Sequence, residues 1–172
     1  KLNWNDRYVI LYYGHSGMSK WLDLLVEAIP ALCEKYPDIL IVFNLIPAKR
    51  DTYIRNYIHA QGHSHNVHVY DGFSLHDLRT LVAASDVVVA PSLSEWFGSV
   101  HAEVSALWQN LITTHYASIP EVVFGKIFFL PSRDVDALVD GIYRMRSNTI
   151  EVTPTKHFDW ALSFEQFAQL YT

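Results

Sequence analysis

Two glutamates, Glu95 and Glu103, stand eight residues apart in the stretch SEWFGSVHAEVSA, directly after the apolar run DVVVAPS. On one continuous helix, residues at this spacing lie about 12 Å apart along the axis and roughly 80° apart around it, so the carboxylates would not hold one small group. They can serve one ligand only if the backbone bends between them. Gly98 and Ser99 are a natural helix breaker and cap, so we expect the helix to begin there and to leave Glu95 in the preceding loop.

A turn at Gly98 lets both carboxylates face a ligand that lies across the ends of a sheet. Glu103 shares a predicted helical face with Val100 and Leu107. A carboxylate on such an apolar face requires hydrogen-bond partners, which a polyhydroxyl ligand would supply. The alternative is structural: Glu95 charges a helix N-terminus, and Glu103 is solvated or salt-bridged. Taken alone, the spacing favours this structural alternative.

A second candidate group lies in YYGHSGMSKW, after the first apolar run. Gly14 and Gly17 let the backbone turn with its N–H groups exposed, and a helix beginning near Ser19 adds a partial positive charge that favours phosphate. Lys20 would add a point charge in the first helical turn. Because neither the three-glycine dinucleotide fingerprint nor the GxxxxGK phosphate loop is present, an ordinary strand-to-helix turn explains the stretch equally well.

A third group, IHAQGHSHNVHVY, is rich in histidine. No carboxylate or cysteine pattern accompanies it, so we expect a loop that enters a strand and no metal site. A Ser-His-Asp triad is also unsupported, because no serine lies in a GxSxG context. The histidines of this segment are His59, His63, His65 and His68.

The elements that must position these groups follow a repeated strand–helix pattern. Short β-rich apolar runs alternate with amphipathic stretches, which predicts βα units around a parallel sheet that is buried on both faces. In such a sheet ligands bind outside the carboxyl ends of the strands. The glutamate stretch and the YYGHSGMSKW stretch each follow a predicted strand and therefore lie at these ends. The predicted strands are Tyr8 to Tyr13, Ile39 to Leu45, Val67 to Tyr70, Val87 to Ala90, Leu111 to Thr114 and Ile127 to Leu130, and the predicted helices run near Ser19 to Tyr36, Thr52 to Gln61, Leu75 to Ser85, Val100 to Trp108 and Val135 to Met145.

Composition narrows the class of protein. The chain has 172 residues, half of them hydrophobic, which suits one compact domain. Lysine and arginine number 13 against 18 aspartate and glutamate, so we expect no nucleic-acid partner. One cysteine excludes an internal disulfide and fits a reducing compartment. No apolar run approaches the roughly 20 residues of a membrane span, and the sequence begins at Lys1, so we expect a fragment of a longer protein without a transmembrane segment.

A final helix carries an apolar stripe that must be buried somewhere. We expect it to pack on this same domain, with a partner region outside the sequence as the alternative. The stripe consists of Trp160, Phe164, Phe167 and Tyr171, at intervals of four, three and four residues.

Taken together, these motifs resemble the C-terminal, donor-binding half of the GT-B glycosyltransferases, in the large retaining group called family 4 or group 1. In that family the first strand leads to a G-R-x-x-x-x-K-G turn, and GHSGMSKW keeps Gly14 and Lys20 in register. The family's S-x-x-E-G-F-G-x-x-x-x-E-A matches SLSEWFGSVHAEVSA in both glutamates, Phe97 and Gly98. Three further stretches match in order: SIPEVV resembles G-x-P-E-I-V, IFFLPSRDVDALVDGI resembles L-V-P-x-x-D-x-x-A-L-A-x-A-I, and HFDWALSFEQFAQLY resembles the closing F-S-W helix.

The resemblance implies a Rossmann-like, three-layer α/β domain with a mostly parallel sheet of about six strands, which is half of a GT-B fold. It implies a donor-binding domain, spanning residues 1–172, of a retaining hexosyltransferase that moves a sugar from a UDP- or GDP-sugar to a glycan or other hydroxyl acceptor. The acceptor site would lie in a missing N-terminal domain, towards which a helix at 157–172 would pack, so the isolated domain would be inactive. The full-length protein would be cytoplasmic, either free or peripheral to the membrane.

For the donor diphosphate, the resemblance implies contacts from Lys20 and from the backbone around Gly14 and His15. The N–H groups near Ser99 and Val100 would assist. Charge develops on the leaving diphosphate as the sugar C1–O bond breaks, and a cation with a helix dipole would stabilise it without a metal or other cofactor. Lys20 is therefore the first of two catalytic candidates.

For the rest of the donor, the resemblance implies that Glu95, the second catalytic candidate, holds the sugar together with Trp96, Phe97 and Gly98. Glu103 would accept hydrogen bonds from the ribose hydroxyls. Retention of configuration would follow from front-face attack within an ion pair, with no protein nucleophile.

The sequence also departs from the family pattern. His15 replaces an arginine and so removes a permanent bidentate phosphate donor. Trp96 replaces a glycine beside Glu95, which narrows the sugar pocket or changes its shape. Asn110 and Leu111 stand where the family has Gly-x-Pro, and FNLIPA lacks the usual glycines. An inactive nucleotide-sugar-binding module is therefore the first alternative, and a redox or nucleotide-hydrolysing enzyme, whose phosphate motifs are absent, is the second.

Overall fold

The computed structural model describes residues 4, 6–46, 51–60, 62–131 and 134–169. Within these residues, strands and helices alternate along the chain, as the sequence pattern predicts. The strands are β1 (Tyr8–Gly14), β2 (Ile39–Leu45), β3 (Val67–Asp71), β4 (Val87–Ala90), β5 (Leu111–Thr114), β6 (Gly125–Leu130) and β7 (Val152–Thr153), and the helices are α1 (Leu22–Lys35), α2 (Asp51–Ala60), α3 (Leu75–Ala84), α4 (Ser99–Ala106), α5 (Ile119–Val122), α6 (Val135–Arg146) and α7 (Trp160–Gln169).

The strands form one seven-stranded sheet in the order β3-β2-β1-β4-β5-β6-β7. All neighbours are parallel except β7, which pairs antiparallel with β6. The chain builds outwards from β1 to β3 on one side and then returns to place β4 on the other side of β1. The carboxyl ends of β1 and β4 therefore flank the point where the strand order reverses, which is where open α/β sheets bind ligands.

Apolar side chains on both faces of the sheet make the core and give the domain three layers. Because side chains alternate along a strand, Ile10 of β1 packs with α1, α2 and α6 on one face, whereas Leu11 packs with α3, α4 and α5 on the other. Every residue of β2 is buried, as expected for a central parallel strand. The core thus fixes β1 and β4 rigidly beneath the candidate residues.

The start of the first helix differs from the prediction. Met18–Lys20 form a short 3-10 turn, Trp21 takes a left-handed conformation with φ 51°, and α1 begins only at Leu22. The prediction that Lys20 lies in the first turn of this helix is therefore wrong. The indole of Trp21 is buried in the core, and the backbone conformation that accompanies this placement interrupts the helical path.

Two short elements, α5 and β7, were not predicted from the sequence pattern because they have only four and two residues. In α7, Phe164 is 69% exposed, so this member of the apolar stripe is not buried as expected. The side chains of Trp160 and Phe167, and all of Tyr171, lie outside the described residues, as does the predicted helix end at Gln61. In the part of the chain that the structure describes, no helix has the length and apolar character needed to cross a bilayer.

Candidate functional site

Most of the predicted site residues meet in a cavity of about 260 Å³ above the carboxyl ends of β1 and β4, which we call the main cavity. Its walls come from the loops after these two strands, from the first turns of α4, and from the ends of β2 and β3. The predicted residues that line it are Gly14, His15, Lys20, Glu95, Ser99, Val100 and Glu103.

The two halves of the main cavity differ in character. Above β1 and β4 the wall carries the charged side chains, whereas above β2 and β3 it carries Ile46, Phe73 and Leu78. On this second side Asn44 is the buried polar residue, at 5% exposure, and its Oδ1 has no hydrogen-bond partner among the described residues. The cavity therefore offers a charged half and a largely apolar half to one elongated ligand.

Lys20 and Glu95 contact each other in the charged half. The Lys20 Nζ donates to Glu95 Oε1 at 2.5 Å, and the Glu95 side chain is only 11% exposed. Burial alone would raise the pKa of Glu95, but hydrogen bonds from Lys20 and Ser92, together with the Lys20 charge, outweigh burial and lower it. Glu95 is therefore an ionised acceptor at neutral pH. Its backbone is also held, because Ser118 Oγ donates to the Glu95 carbonyl at 3.1 Å.

Glu103 lies in the second turn of α4, and its carboxylate is held by a tyrosine that the sequence analysis did not single out. The Tyr13 hydroxyl donates to Glu103 Oε2 at 3.0 Å and lies 3.3 Å from the carbonyl oxygen of Val100. The expected need of this carboxylate for partners is thus met in part by the protein itself. The only sequence signal for Tyr13 is its place at the carboxyl end of an apolar strand, where ligands bind.

Gly98 provides the bend between the two glutamates, as predicted. It caps α4 in a left-handed conformation with φ 81°, so Glu95 lies in the loop and Glu103 on the helix. A Cβ at this position would lie 2.9 Å from Nδ1 of His101. Both the conformation and the close contact therefore require glycine.

His101 is a second residue that the sequence analysis missed, because nothing in the pattern separates it from an ordinary core histidine. It is fully buried, with Nε2 3.1 Å from the Ala90 carbonyl oxygen and 2.9 Å from Thr113 Oγ1. Its Nδ1 has no partner within the described ranges. Burial lowers the pKa of His101, which keeps the ring neutral at neutral pH. The contacts of Nε2 with Ala90 and Thr113 connect the helix that follows the Gly98 turn to β4 and β5.

Trp96 and Phe97 do not line the main cavity. Trp96 is fully exposed, and Phe97 is half-exposed and packs edge-to-face on Phe158 with ring centroids 5.9 Å apart. Trp96 therefore stands outside the main cavity, because the turn before Gly98 directs the indole to solvent, and its effect on a sugar pocket stays a prediction.

The histidine-rich segment does not gather around a centre. His59 lies at the end of α2 and His68 in β3. Over the described ranges, no group of three or more His, Cys, Asp or Glu side chains is arranged to hold a metal ion.

Comparison with known proteins finds one matching family model and several curated relatives. The family model described as "Glycosyl transferases group 1" matches residues 1–155. The phosphatidylinositol N-acetylglucosaminyltransferase GPI3 subunit of Saccharomyces cerevisiae is 24% identical over 178 residues, which cover 97% of this chain and 39% of that protein. The D-inositol 3-phosphate glycosyltransferase of Corynebacterium diphtheriae is 25% identical over 178 residues, which cover 95% and 42%. The chain thus spans less than half the length of these curated relatives.

Solved structures show the same architecture. The Anabaena protein Alr3699/HepE, crystallised in complex with UDP and glucose, superposes with a TM-score of 0.73 at 19% identity, over 86% of this chain and 41% of that one. This likeness confirms the predicted fold, a Rossmann-like α/β domain of the kind that forms half of a GT-B glycosyltransferase.

Proposed function

This chain belongs to the group 1 glycosyl transferase family, and from that premise we propose that it is the donor-binding domain of a retaining glycosyltransferase. The donor would be a nucleoside-diphosphate sugar and the acceptor a glycan or another hydroxyl compound. The observation that carries the proposal is the Lys20–Glu95 pair, 2.5 Å apart, in the wall of a cavity that also contains Glu103. A cation and two carboxylates at these positions match the three chemical parts of such a donor.

In this proposal the charged half of the main cavity binds the diphosphate. The first N–H groups of a helix have no partner within the helix, so those of Ser99 and Val100 are available to an anion. Lys20 adds a full positive charge, and Gly14 lets the backbone turn with φ 130°, a conformation that residues with a Cβ rarely adopt. These groups stabilise the charge that develops on the departing diphosphate, with no metal required.

Glu95 would hold the sugar. An ionised carboxylate offers about four acceptor positions, and Lys20 and Ser92 use two of them, which leaves the others for sugar hydroxyls. The ion pair with Lys20 also weakens Glu95 as a nucleophile. This supports retention by front-face attack on an ion pair rather than through a covalent intermediate on the protein.

UDP is the first nucleotide to test, because the Anabaena relative of the same fold binds it in its crystal structure. The direct experiment is isothermal titration of the 172-residue chain with UDP-glucose, UDP-N-acetylglucosamine, GDP-mannose and ADP-glucose. We expect at least one dissociation constant below about 1 mM, the upper end of ordinary substrate affinities. If none binds at millimolar concentration while circular dichroism shows a folded chain, the proposal fails.

Two matched variants test which part of the donor each glutamate binds. Glu103→Ala should weaken UDP and a UDP-sugar alike, because both contain the ribose. Glu95→Ala should leave UDP almost unchanged and weaken only the UDP-sugar. Equal losses of UDP affinity in both variants would contradict this division of roles.

A second candidate function, an inactive nucleotide-sugar-binding module, is favoured by His15. This residue lines the main cavity where the family pattern has an arginine, so one permanent phosphate donor is absent. His15→Arg distinguishes the two functions in the full-length protein. If the wild type binds the donor but neither hydrolyses nor transfers its sugar, and His15→Arg restores turnover, the module is the correct description.

A further inference from the structure

The Glu103 carboxylate lies on the surface of α4, yet the structure holds it in one orientation. The Glu103 side chain is exposed, whereas Tyr13 is 6% exposed and packed in the core. A glutamate has several rotatable bonds and loses much rotamer freedom when a ligand fixes it. The 3.0 Å hydrogen bond from the Tyr13 hydroxyl to Oε2 imposes part of that order before a ligand arrives.

Tyr13 is well placed for this role because its ring cannot move easily. It is the penultimate residue of β1 and packs among the apolar side chains of that face of the sheet. Its hydroxyl reaches beyond the strand end to Glu103 and lies 3.3 Å from the Val100 carbonyl oxygen, so helix backbone and carboxylate share one anchor. Burial and the charge of Glu103 raise the pKa of Tyr13, so the phenol keeps the proton that it donates.

The Tyr13–Glu103 pair stands where two cavities meet. Both residues line the main cavity and also a neighbouring cavity of about 320 Å³ between α3 and α4. A carboxylate at this junction has open space on both sides, so without an anchor it could turn away from the main cavity. The tyrosine is the group that restricts it.

We propose that Tyr13 is a positioning residue that orients Glu103 to accept two hydrogen bonds from a vicinal diol, and that it thereby gives the site its preference for ribonucleotides. This inference rests on the proposed function, since it takes Glu103 as the receptor of the ribose hydroxyls. Two adjacent hydroxyls can be bound by the two oxygens of one carboxylate only when its plane is set, and pre-orientation avoids the loss of freedom on binding.

The test compares UDP with 2′,3′-dideoxy-UDP, which has no hydroxyl for Glu103 to bind. Tyr13→Phe should weaken UDP about threefold to tenfold, the range expected for one hydrogen bond, and weaken the dideoxy compound less than about twofold. In a Glu103→Ala background, which removes the acceptor of the tyrosine hydroxyl, Tyr13→Phe should have no further effect on either ligand. A merely structural tyrosine would instead weaken both ligands equally.

Tyr8→Phe is the matched control. Tyr8 lies on the same strand at its opposite end, and its hydroxyl has no hydrogen-bond partner among the residues described. This variant should bind both ligands as the wild type does, and thermal unfolding checks that Tyr13→Phe is folded. If the wild type prefers UDP and Tyr13→Phe keeps that preference, this inference alone is overturned. If the wild type binds no ribonucleotide, the proposed function is overturned together with it.

Discussion

Two cation–carboxylate pairs lie at opposite edges of the sheet, and they differ in the contacts that the cation makes. At the amino ends of the strands, Arg146 donates to both oxygens of Asp38 at 3.1 and 2.9 Å. The guanidinium also lies 4.6 Å from the ring centroid of Tyr8 and 4.9 Å from that of Tyr36. At the carboxyl ends, Lys20 makes a single 2.5 Å contact with Glu95.

The difference is the one expected between a structural pair, Arg146–Asp38, and the proposed binding pair, Lys20–Glu95. The planar guanidinium donates two hydrogen bonds to the carboxylate, and two aromatic rings pack against the guanidinium. The hydrogen bond with Asp38 raises the pKa of Arg146, and the hydrogen bond with Arg146 lowers that of Asp38, so both stay charged. The lysine ammonium has three donors on a flexible stem and lies in a cavity wall. Similar charges therefore lock one edge of the sheet and leave the other edge able to bind an anion.

Of the variants that test the difference between the two pairs, removal of Lys20 should have the largest effect on UDP affinity. Lys20→Ala should weaken UDP binding about 30-fold to 150-fold, because it removes a charged hydrogen bond worth about 2 to 3 kcal/mol. Uridine, which lacks the diphosphate, should lose little affinity. Isothermal titration with both ligands measures the effect, and equal losses for UDP and uridine would place Lys20 outside the phosphate site.

The turn that carries Glu95 can be broken separately. Gly98→Ala should lower the free energy of unfolding by about 2 kcal/mol, since it combines a left-handed residue with a contact too short for a Cβ. The contact is with His101 Nδ1 at 2.9 Å. In a His101→Ala background the same change should cost only about 1 kcal/mol, the backbone part. Chemical denaturation measures both values, and an equal cost in both backgrounds would show that the contact is irrelevant.

Removal of the Arg146–Asp38 pair should change the stability of the domain and leave UDP affinity as it is. Arg146→Ala should lower the free energy of unfolding by about 1 kcal/mol, from a partly exposed ion pair and its aromatic contacts. UDP affinity should not change, because Arg146 lies at the other end of the sheet. Denaturation and titration of the same sample separate the two effects. A loss of UDP affinity in this variant would remove the distinction between the two edges.

The smallest expected effect is a dependence of stability on pH. The folded-state pKa of His101 is below its ordinary 6.5, so the unfolded chain binds protons more readily. The stabilisation is fully present above pH 6.5 and is lost as pH falls towards the folded-state pKa. The charges that act on His101 are those of Glu95 and Lys20. His101→Gln should flatten this part of the stability curve in thermal unfolding between pH 7 and 5, whereas an unchanged slope would assign the dependence to other groups.

Strands β1 to β6 could be predicted because each is an apolar run of strand length bounded by polar residues. The bend at Gly98 could also be predicted, since only a break in the helix makes the spacing of Glu95 and Glu103 workable. The elements that escaped prediction, β7 and α5, are too short to show a period. The helix start after Lys20 was misplaced because the burial of Trp21 overrides the local pattern.

The contacts within the site were beyond the sequence because they join distant parts of the chain. Lys20 and Glu95 are 75 residues apart, and Tyr13 and Glu103 are 90 apart. The resemblance to a family assigned Lys20, Glu95 and Glu103 to different parts of a ligand. Only the fold shows that Lys20 contacts Glu95 and that Tyr13 contacts Glu103. The exposure of Trp96 is likewise a property of the turn, which no residue pattern revealed.

The most direct test of the central claim, that the carboxyl ends of β1 and β4 bind the donor, is a titration of the ¹⁵N-labelled chain with UDP followed by NMR. We expect the largest chemical-shift changes at the backbone amides of Gly14, Ser99 and Val100, which line the main cavity. The amides of Asp38 and Arg146 should not shift. Saturating UDP that shifts no amide around the main cavity, or that shifts the opposite edge more, would contradict the account.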